Sequence, residues 1–158
     1  MPRIEPTDRS TDSFYAVLGN RPEIADAWAA LDKVLLTDGS STLSTALKEE
    51  VRSGLAQGIG CQYCATVGGA AAAPEHADPR ASLAGAFAEV VVNNLGKIDD
   101  SMFDVLRDEF SSEEIVELCA WICFKFGANI LGALVKLDPA TEEQSSAYRE
   151  LLDDAATR

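Results

Sequence analysis

The chain has 158 residues, and its 13 basic side chains against 26 acidic ones give a formal net charge of −13 at pH 7. This length corresponds to one domain, since domains usually contain about 100–200 residues. The acidic balance argues against a nucleic acid or an anionic membrane as partner, because their phosphates would repel it. The four cysteines are too few for a disulfide-stapled scaffold, and the polar first residues show no secretory signal. We therefore expect a cytoplasmic protein, in which a close cysteine pair indicates redox or metal chemistry.

Residues 1–19 are predicted to form a polar N-terminal arm, which docks onto another surface through an apolar patch of Phe14, Tyr15, Val17 and Leu18. Residues 20–158 are predicted to form one domain, because apolar side chains recur there at helical spacing with no shift in composition. The predicted helices cover, in chain order, about 22–37, 43–57, 61–73, 83–95, 100–110, 112–137 and 142–152. No segment alternates as a strand does, so the predicted fold class is an all-α helical bundle.

Capping signals support these boundaries. They are Gly96 as a C-cap, Asp99 or Asp100 as an N-cap, and the capping boxes of Ser111 with Glu114 and Thr141 with Gln144. The helix after Ser111 is the most apolar in the chain and barely reaches the length that a bilayer requires. Because Lys125, Asn129 and two glycines interrupt it, we predict a buried central helix and not a membrane span.

The strongest functional signal is the motif Cys61-Gln62-Tyr63-Cys64. Two cysteines three positions apart at a helix start can close a disulfide with little backbone movement. The free N–H groups and partial positive charge of a helix N-terminus stabilise a thiolate, which is the reactive form of cysteine. The motif therefore predicts thiol-based redox chemistry, and this reasoning alone favours Cys61 as the more exposed and more acidic thiol.

Other interpretations of the cysteines stay open. Cys119 and Cys123 lie four positions apart on one helix face and could complete a zinc site with the motif pair. Their apolar neighbours favour packing instead, and the motif itself could be two buried cysteines without a function. The favoured prediction is a redox protein that holds no metal and no cofactor.

Glu49 lies on the face of the second predicted helix that points away from its leucine stripe. This face otherwise carries the small residues Thr45, Ser53, Ala56 and Gly60. Small residues let another helix approach closely, so a carboxylate there could lie near the turn that carries Cys61 and relay protons. The alternative is that Glu49 and Glu50 are both solvated surface charges.

The segments 48–52, 55–56 and 60–64 together resemble the core of the carboxymuconolactone decarboxylase / alkylhydroperoxidase D (AhpD-like) family. In that family a glutamate precedes the first cysteine of the CxxC motif by twelve positions, which is the step from Glu49 to Cys61. The run 84–118 is also similar to the C-terminal half of the family. The resemblance covers about residues 20–137.

This resemblance implies an all-helical fold that assembles into a homo-oligomer, a trimer or a hexamer. It also implies reduction of a small-molecule hydroperoxide, or exchange of disulfides, with a thiol or dithiol protein as reductant. Carried over to this chain, the second cysteine, Cys64, attacks the peroxide and Cys61 resolves the product as a disulfide. Glu49 is then the proton-relay carboxylate.

The chain departs from the family pattern at one position. A histidine should follow the second cysteine by four residues, and this position is Gly68. The single histidine, His76, lies in the predicted loop between Pro74 and Pro79, from which it could fold back or remain solvated. The alternative function is therefore a catalytically weakened scaffold or ligand-binding protein that retains the fold.

Overall fold

The structure is a computed structural model, and it describes residues 1–37, 39–68 and 78–157. Within these ranges the regular secondary structure is helical, which confirms the all-α prediction. The helices are α1 (Ser13–Leu18), α2 (Pro22–Leu36), α3 (Thr45–Ile59), α4 (Gln62–Thr66), α5 (Pro79–Asn94), α6 (Asp100–Glu109), α7 (Ser112–Val135) and α8 (Glu142–Ala156). A 3₁₀ turn (Leu95–Lys97) follows α5.

The centre of the fold is α3, which packs against both α5 and α7. Its stripe of Leu47, Val51 and Leu55 is buried in the main hydrophobic core, as the four-residue spacing predicts. The indole of Trp121 on α7 is fully buried and donates a hydrogen bond to the Lys48 carbonyl over 2.8 Å. Packing and this bond together fix the register of α3 against α7.

A buried ion pair adds to this α3–α7 contact. The Lys48 ammonium is buried and pairs with Glu117 on α7, which also accepts hydrogen bonds from Ser41 and Thr42. Burial opposes ionisation of Glu117, but the hydrogen bonds from Lys48, Ser41 and Thr42 lower its pKa to about 2. The carboxylate is therefore charged throughout the physiological range. The hydrophobic pattern of α3 and α7 does not predict this pair.

The capping predictions are confirmed at Asp99, at Ser111 with Glu114 and at Thr141 with Gln144. Two predicted boundaries are wrong. The helix that begins after Cys61 ends at Thr66, well before Ala73, and residues 69–77 lie outside the described part of the chain. Gly96 does not cap α5, because the chain tightens into the 3₁₀ turn directly after Asn94.

The apolar patch of the N-terminal arm packs against other residues of the same chain. Phe14, Val17 and Leu18 are buried in a second hydrophobic cluster, which also contains both motif cysteines. The ring of Phe14 packs against Trp28 of α2, with centroids 5.6 Å apart. This patch therefore cannot serve as the exposed interface for a second copy.

One face of α7 is buried and the opposite face is exposed. By length and composition alone α7 could cross a membrane, a test that the core helix of a soluble protein passes as well. Leu118, Trp121 and Ile122 lie in the core, whereas Val116 and Leu134 are exposed. The prediction of a buried central helix is confirmed for the face that carries Leu118, Trp121 and Ile122, and not for the opposite face.

Candidate functional site

The motif cysteines are joined in a disulfide at the turn between α3 and α4. Gly60 has φ +81°, a left-handed conformation that glycine adopts without strain, and it reverses the chain after α3. Cys61 then caps α4, and its sulfur accepts a hydrogen bond from the Cys64 N–H over 3.2 Å. The two Cα atoms are 5.3 Å apart, within the usual range for a disulfide.

Gly132 of α7 lies directly against this disulfide. A Cβ atom at this position would lie 2.5 Å from the Cys61 sulfur and 3.3 Å from the Cys64 sulfur. Any larger residue would therefore push against the sulfur atoms. In the sequence this glycine interrupts an apolar helix, and in the structure it lets α7 approach the redox pair directly.

The two sulfur atoms differ in their surroundings. Cys61 is 1% exposed and Cys64 is 7% exposed. Only Cys64 lines a neighbouring cavity of about 120 Å³. The expectation from helix-terminus physics that Cys61 is the more exposed thiol is therefore wrong, because Gly132 and the second hydrophobic cluster cover it.

The cavity beside Cys64 combines aromatic walls with paired charges. Its aromatic side chains are Phe14, Tyr15, Trp28, Tyr63 and Tyr148, and its polar ones are Asp12, Asp32, Arg52, Lys125 and Asn129. Lys125 pairs with Asp32 over 2.7 Å. This wall joins residues of the arm, α2, α3, α4, α7 and α8, so the cavity exists only in the folded chain.

Two tyrosine hydroxyls of the cavity donate to carboxylates. Tyr63 donates to Asp12 over 2.6 Å, and Tyr15 donates to Asp32 over 3.0 Å. Burial, and next the neighbouring carboxylate, raises the pKa of both phenols, so they stay protonated. Tyr63 lies between the motif cysteines in the sequence, whereas its acceptor Asp12 is 51 residues away along the chain.

Glu49 lies beside the motif in a side-chain network, not on a solvated face. Its carboxylate makes two hydrogen bonds with the Arg52 guanidinium, over 2.6 and 2.7 Å, and accepts a third from the Tyr148 hydroxyl over 3.0 Å. Arg52 also donates to the Cys64 carbonyl over 2.5 Å. Glu49 is therefore linked to the motif through Arg52, and to the cavity wall through Tyr148.

The same pair lies against Gly68, the position at which the resembled family carries a histidine. A Cβ atom on Gly68 would collide with the Glu49 carboxylate and the Arg52 guanidinium. A side chain at this position would therefore require the ends of the Glu49 and Arg52 side chains to move. His76 lies outside the described residues, so the prediction about its position is not tested.

The other two cysteines are free thiols. Cys119 packs against the main core, where burial raises the pKa of its thiol, and Cys123 is exposed. Within residues 1–37, 39–68 and 78–157, no cluster of three or more potential metal ligands is present. The zinc interpretation therefore gains no support from the described part of the chain.

Comparison with protein-family models gives no match, and comparison with curated proteins gives none either. Two solved structures are similar. An uncharacterized peroxidase-related protein from Silicibacter sp. TM1040 has a TM-score of 0.71 at 19% identity, covering 84% of this chain and 78% of that one. The alkylhydroperoxidase AhpD core of an uncharacterized peroxidase-related protein from Ralstonia eutropha JMP134 has a TM-score of 0.67 at 19% identity, covering 82% and 77%.

The fold is AhpD-like. At this level of identity the likeness concerns the fold, and the chemistry depends on the residues themselves. The sequence pointed to the cysteine pair and to Glu49, but not to the contacts of Glu49 with Arg52 and Tyr148. Arg52 has no distinguishing sequence signal, and Tyr148 lies about one hundred residues from Glu49 along the chain.

Proposed function

We propose that the chain is a dithiol peroxidase, which reduces hydroperoxides through Cys61 and Cys64 and is itself reduced by a thiol or a dithiol protein. One observation carries this proposal: Cys61 and Cys64 form a disulfide, and of the two only Cys64 borders a cavity. The AhpD-like fold supports it, because both similar structures are described as peroxidase-related. A cytoplasmic location, where reducing thiols are abundant, is part of the proposal.

The proposed cycle has three steps. The Cys64 thiolate attacks the terminal oxygen of the hydroperoxide, the O–O bond breaks, and the alkoxide takes up a proton to leave as an alcohol. Cys64 is now a sulfenic acid, and the Cys61 thiol displaces its oxygen as water and closes the disulfide. An external thiol pair then reduces the disulfide by thiol–disulfide exchange and is oxidised in turn. Cys64 is placed first because it is the sulfur that faces the cavity.

Glu49 is the proposed proton relay, and Tyr148 is its connection to the cavity. The proton released when Cys64 ionises is taken up by the Glu49 carboxylate; the Tyr148 hydroxyl then gives its own proton to the leaving alkoxide and is reprotonated by Glu49. Burial, and next the Glu49 carboxylate, raises the pKa of Tyr148 well above its ordinary value. The hydroxyl is therefore protonated and able to donate.

We expect Glu49→Gln to slow hydroperoxide reduction by roughly 10² to 10⁴-fold, the usual range for loss of a general acid or base. It also removes the partner of buried Arg52, so we expect the free energy of unfolding to fall by about 2 kcal/mol. Stopped-flow kinetics and urea denaturation measure the two effects. Glu50→Gln, an exposed neighbour on the same helix, is the matched control. Equal rates for the two variants would exclude Glu49 from the relay.

The test of the proposed function is the intact mass of reduced protein after brief exposure to an organic hydroperoxide. A peroxidase loses two hydrogens as the Cys61–Cys64 disulfide forms, and it releases one equivalent of alcohol. If no oxidation occurs within many minutes, the peroxidase proposal is wrong. Mixed-disulfide trapping would then separate a disulfide oxidoreductase from a scaffold with unreactive cysteines.

We also propose that the chain is a homo-oligomer, a trimer or a hexamer, and that the exposed face of α7 contributes to its interface. Along this face, Val116, Cys123 and Ile130 lie seven residues apart, and so do Ala120, Gly127 and Leu134. This is the spacing with which one helix packs along another. Helix α2 also exposes three apolar side chains, those of Ile24, Leu31 and Val34.

Val116→Glu is expected to shift the protein to a smaller assembly, because it places a charge in this apolar stripe. Light scattering after size-exclusion chromatography measures the molar mass. Leu95→Glu is the control, since Leu95 is 70% exposed and Val116 is 69% exposed, but Leu95 lies on the 3₁₀ turn outside the stripe. An unchanged molar mass for Val116→Glu would place the interface elsewhere.

A further inference from the structure

The cavity wall contains a buried amide whose donor is not used within the protein. Asn129 of α7 is 2% exposed, and its Nδ2 atom has no hydrogen-bond partner among the residues that the structure describes. Asn129 lines the same cavity as Cys64. A buried donor without an acceptor costs about 1–3 kcal/mol, so its retention calls for an explanation.

The position of Asn129 on α7 places it next to the redox pair. It lies three residues before Gly132, which is almost one helical turn, and residues at this spacing share a helix face. Gly132 is the residue on which the two sulfur atoms rest. The unpaired amide of Asn129 therefore lies on the same face of α7 as Gly132, which contacts the disulfide.

The charged and phenolic groups of the cavity already have partners. Lys125 pairs with Asp32, Arg52 with Glu49, and the three tyrosine hydroxyls donate to Asp32, Asp12 and Glu49. These groups are held in place before a ligand arrives. The Asn129 amide differs from them because its N–H groups remain available for an acceptor on the ligand.

We propose that Asn129 binds the hydroperoxide and donates a hydrogen bond to the oxygen that leaves as the alkoxide. This inference rests on the proposed peroxidase function. As the Cys64 thiolate attacks the terminal oxygen, negative charge develops on the other oxygen of the O–O bond, and a donor already fixed in the cavity wall stabilises that charge. Asn129 supplies no proton, because the proton comes from the Glu49 network.

The cavity also determines a suitable probe. Its charged side chains, Asp12, Asp32, Arg52 and Lys125, carry two negative and two positive charges, so an uncharged ligand fits best. Its volume of about 120 Å³ is close to that of an engineered cavity of about 150 Å³ that binds benzene. tert-Butyl hydroperoxide is uncharged and of similar size, and it is the probe used below.

The experiment compares two oxidants of the reduced protein, tert-butyl hydroperoxide and dithiodipyridine, by stopped-flow kinetics. Asn129→Leu keeps most of the side-chain volume and removes the donor. We expect its rate constant with the hydroperoxide to fall about 100-fold. Its rate constant with dithiodipyridine, which has no O–O bond, should stay within about twofold of the wild-type value. Across hydroperoxides that release alcohols of different acidity, the rate constants of this variant should also depend more steeply on that acidity than those of the wild-type protein.

A second pair of variants covers the case in which the leucine variant does not fold. Asn129→Ser keeps a hydroxyl donor and Asn129→Ala does not, so the serine variant should react faster with the hydroperoxide. Equal losses with both oxidants, or an unchanged hydroperoxide rate, would overturn the role of Asn129. A wild-type protein that reacts with dithiodipyridine but not with the hydroperoxide would overturn the proposed function itself, and this role with it.

Discussion

Cys64→Ser is expected to abolish hydroperoxide reduction, with a loss of at least about a thousand-fold, because it removes the attacking sulfur. Cys61→Ser should react once and stop, since its Cys64 sulfenic acid has no partner for a disulfide. Intact mass in the presence of dimedone, which traps sulfenic acids, distinguishes the two variants. We expect the adduct only in Cys61→Ser.

Cys123→Ser is the control for this pair, because Cys123 is a free, exposed thiol outside the motif. It should react like the wild-type protein. A sulfenic adduct on Cys61 in the Cys64→Ser variant would reverse the two roles. In that event, the cavity beside Cys64 would have to admit the reductant and not the peroxide.

Gly132→Ala is expected to destabilise the disulfide, because the added methyl group would lie 2.5 Å from the Cys61 sulfur. Overpacking typically costs about 1–3 kcal/mol, whereas alanine in a helix gains only about 1 kcal/mol over glycine. In the reduced protein the free thiols can rotate away, so the penalty falls mainly on the oxidised form. A penalty of about 2 kcal/mol would shift the thiol–disulfide equilibrium roughly 30-fold toward the dithiol.

Redox titration of the pair, followed by thiol labelling, measures this shift. Gly54→Ala on α3 is the matched control, because a Cβ atom there meets nothing within 4 Å. The control should leave the equilibrium unchanged and increase stability slightly. If both variants behave alike, Gly132 does not support the disulfide.

The helical fold could be predicted from the sequence because the relevant signals are local. The stripe of Leu47, Val51 and Leu55, and the capping box at Ser111, depend on residues three or four positions apart. The helix after Cys61 was predicted too long because Val67 and Gly68 continue an apolar, small-residue pattern. That pattern does not show that the chain leaves α4 at Thr66.

The candidate site could be predicted only in part. The spacing of the motif predicts Cys61 and Cys64 as the redox pair, and the helix face together with the resemblance predicts Glu49 as the relay. Apart from Arg52, the side chains around them come from distant parts of the chain. Tyr148 is on the last helix, and nothing near it in the sequence indicates a carboxylate partner. Lys125 and Asn129 did leave a signal, since two polar side chains four residues apart interrupt an apolar helix. In the sequence they argue against a membrane span, and only the structure shows that both line a cavity.

The covering of Cys61 also has a consequence for how the oxidised protein is recycled. A thiol can approach the disulfide through the cavity, where it meets Cys64, whereas Gly132 blocks the other sulfur. Under the proposed function, the mixed disulfide with a reductant would therefore form on Cys64, with Cys61 as the leaving thiolate. A protein reductant would have to present a protruding cysteine, because the cavity volume of about 120 Å³ admits a side chain and not a folded domain. Recycling would then select reductants by the shape around their thiol and not by reducing power alone.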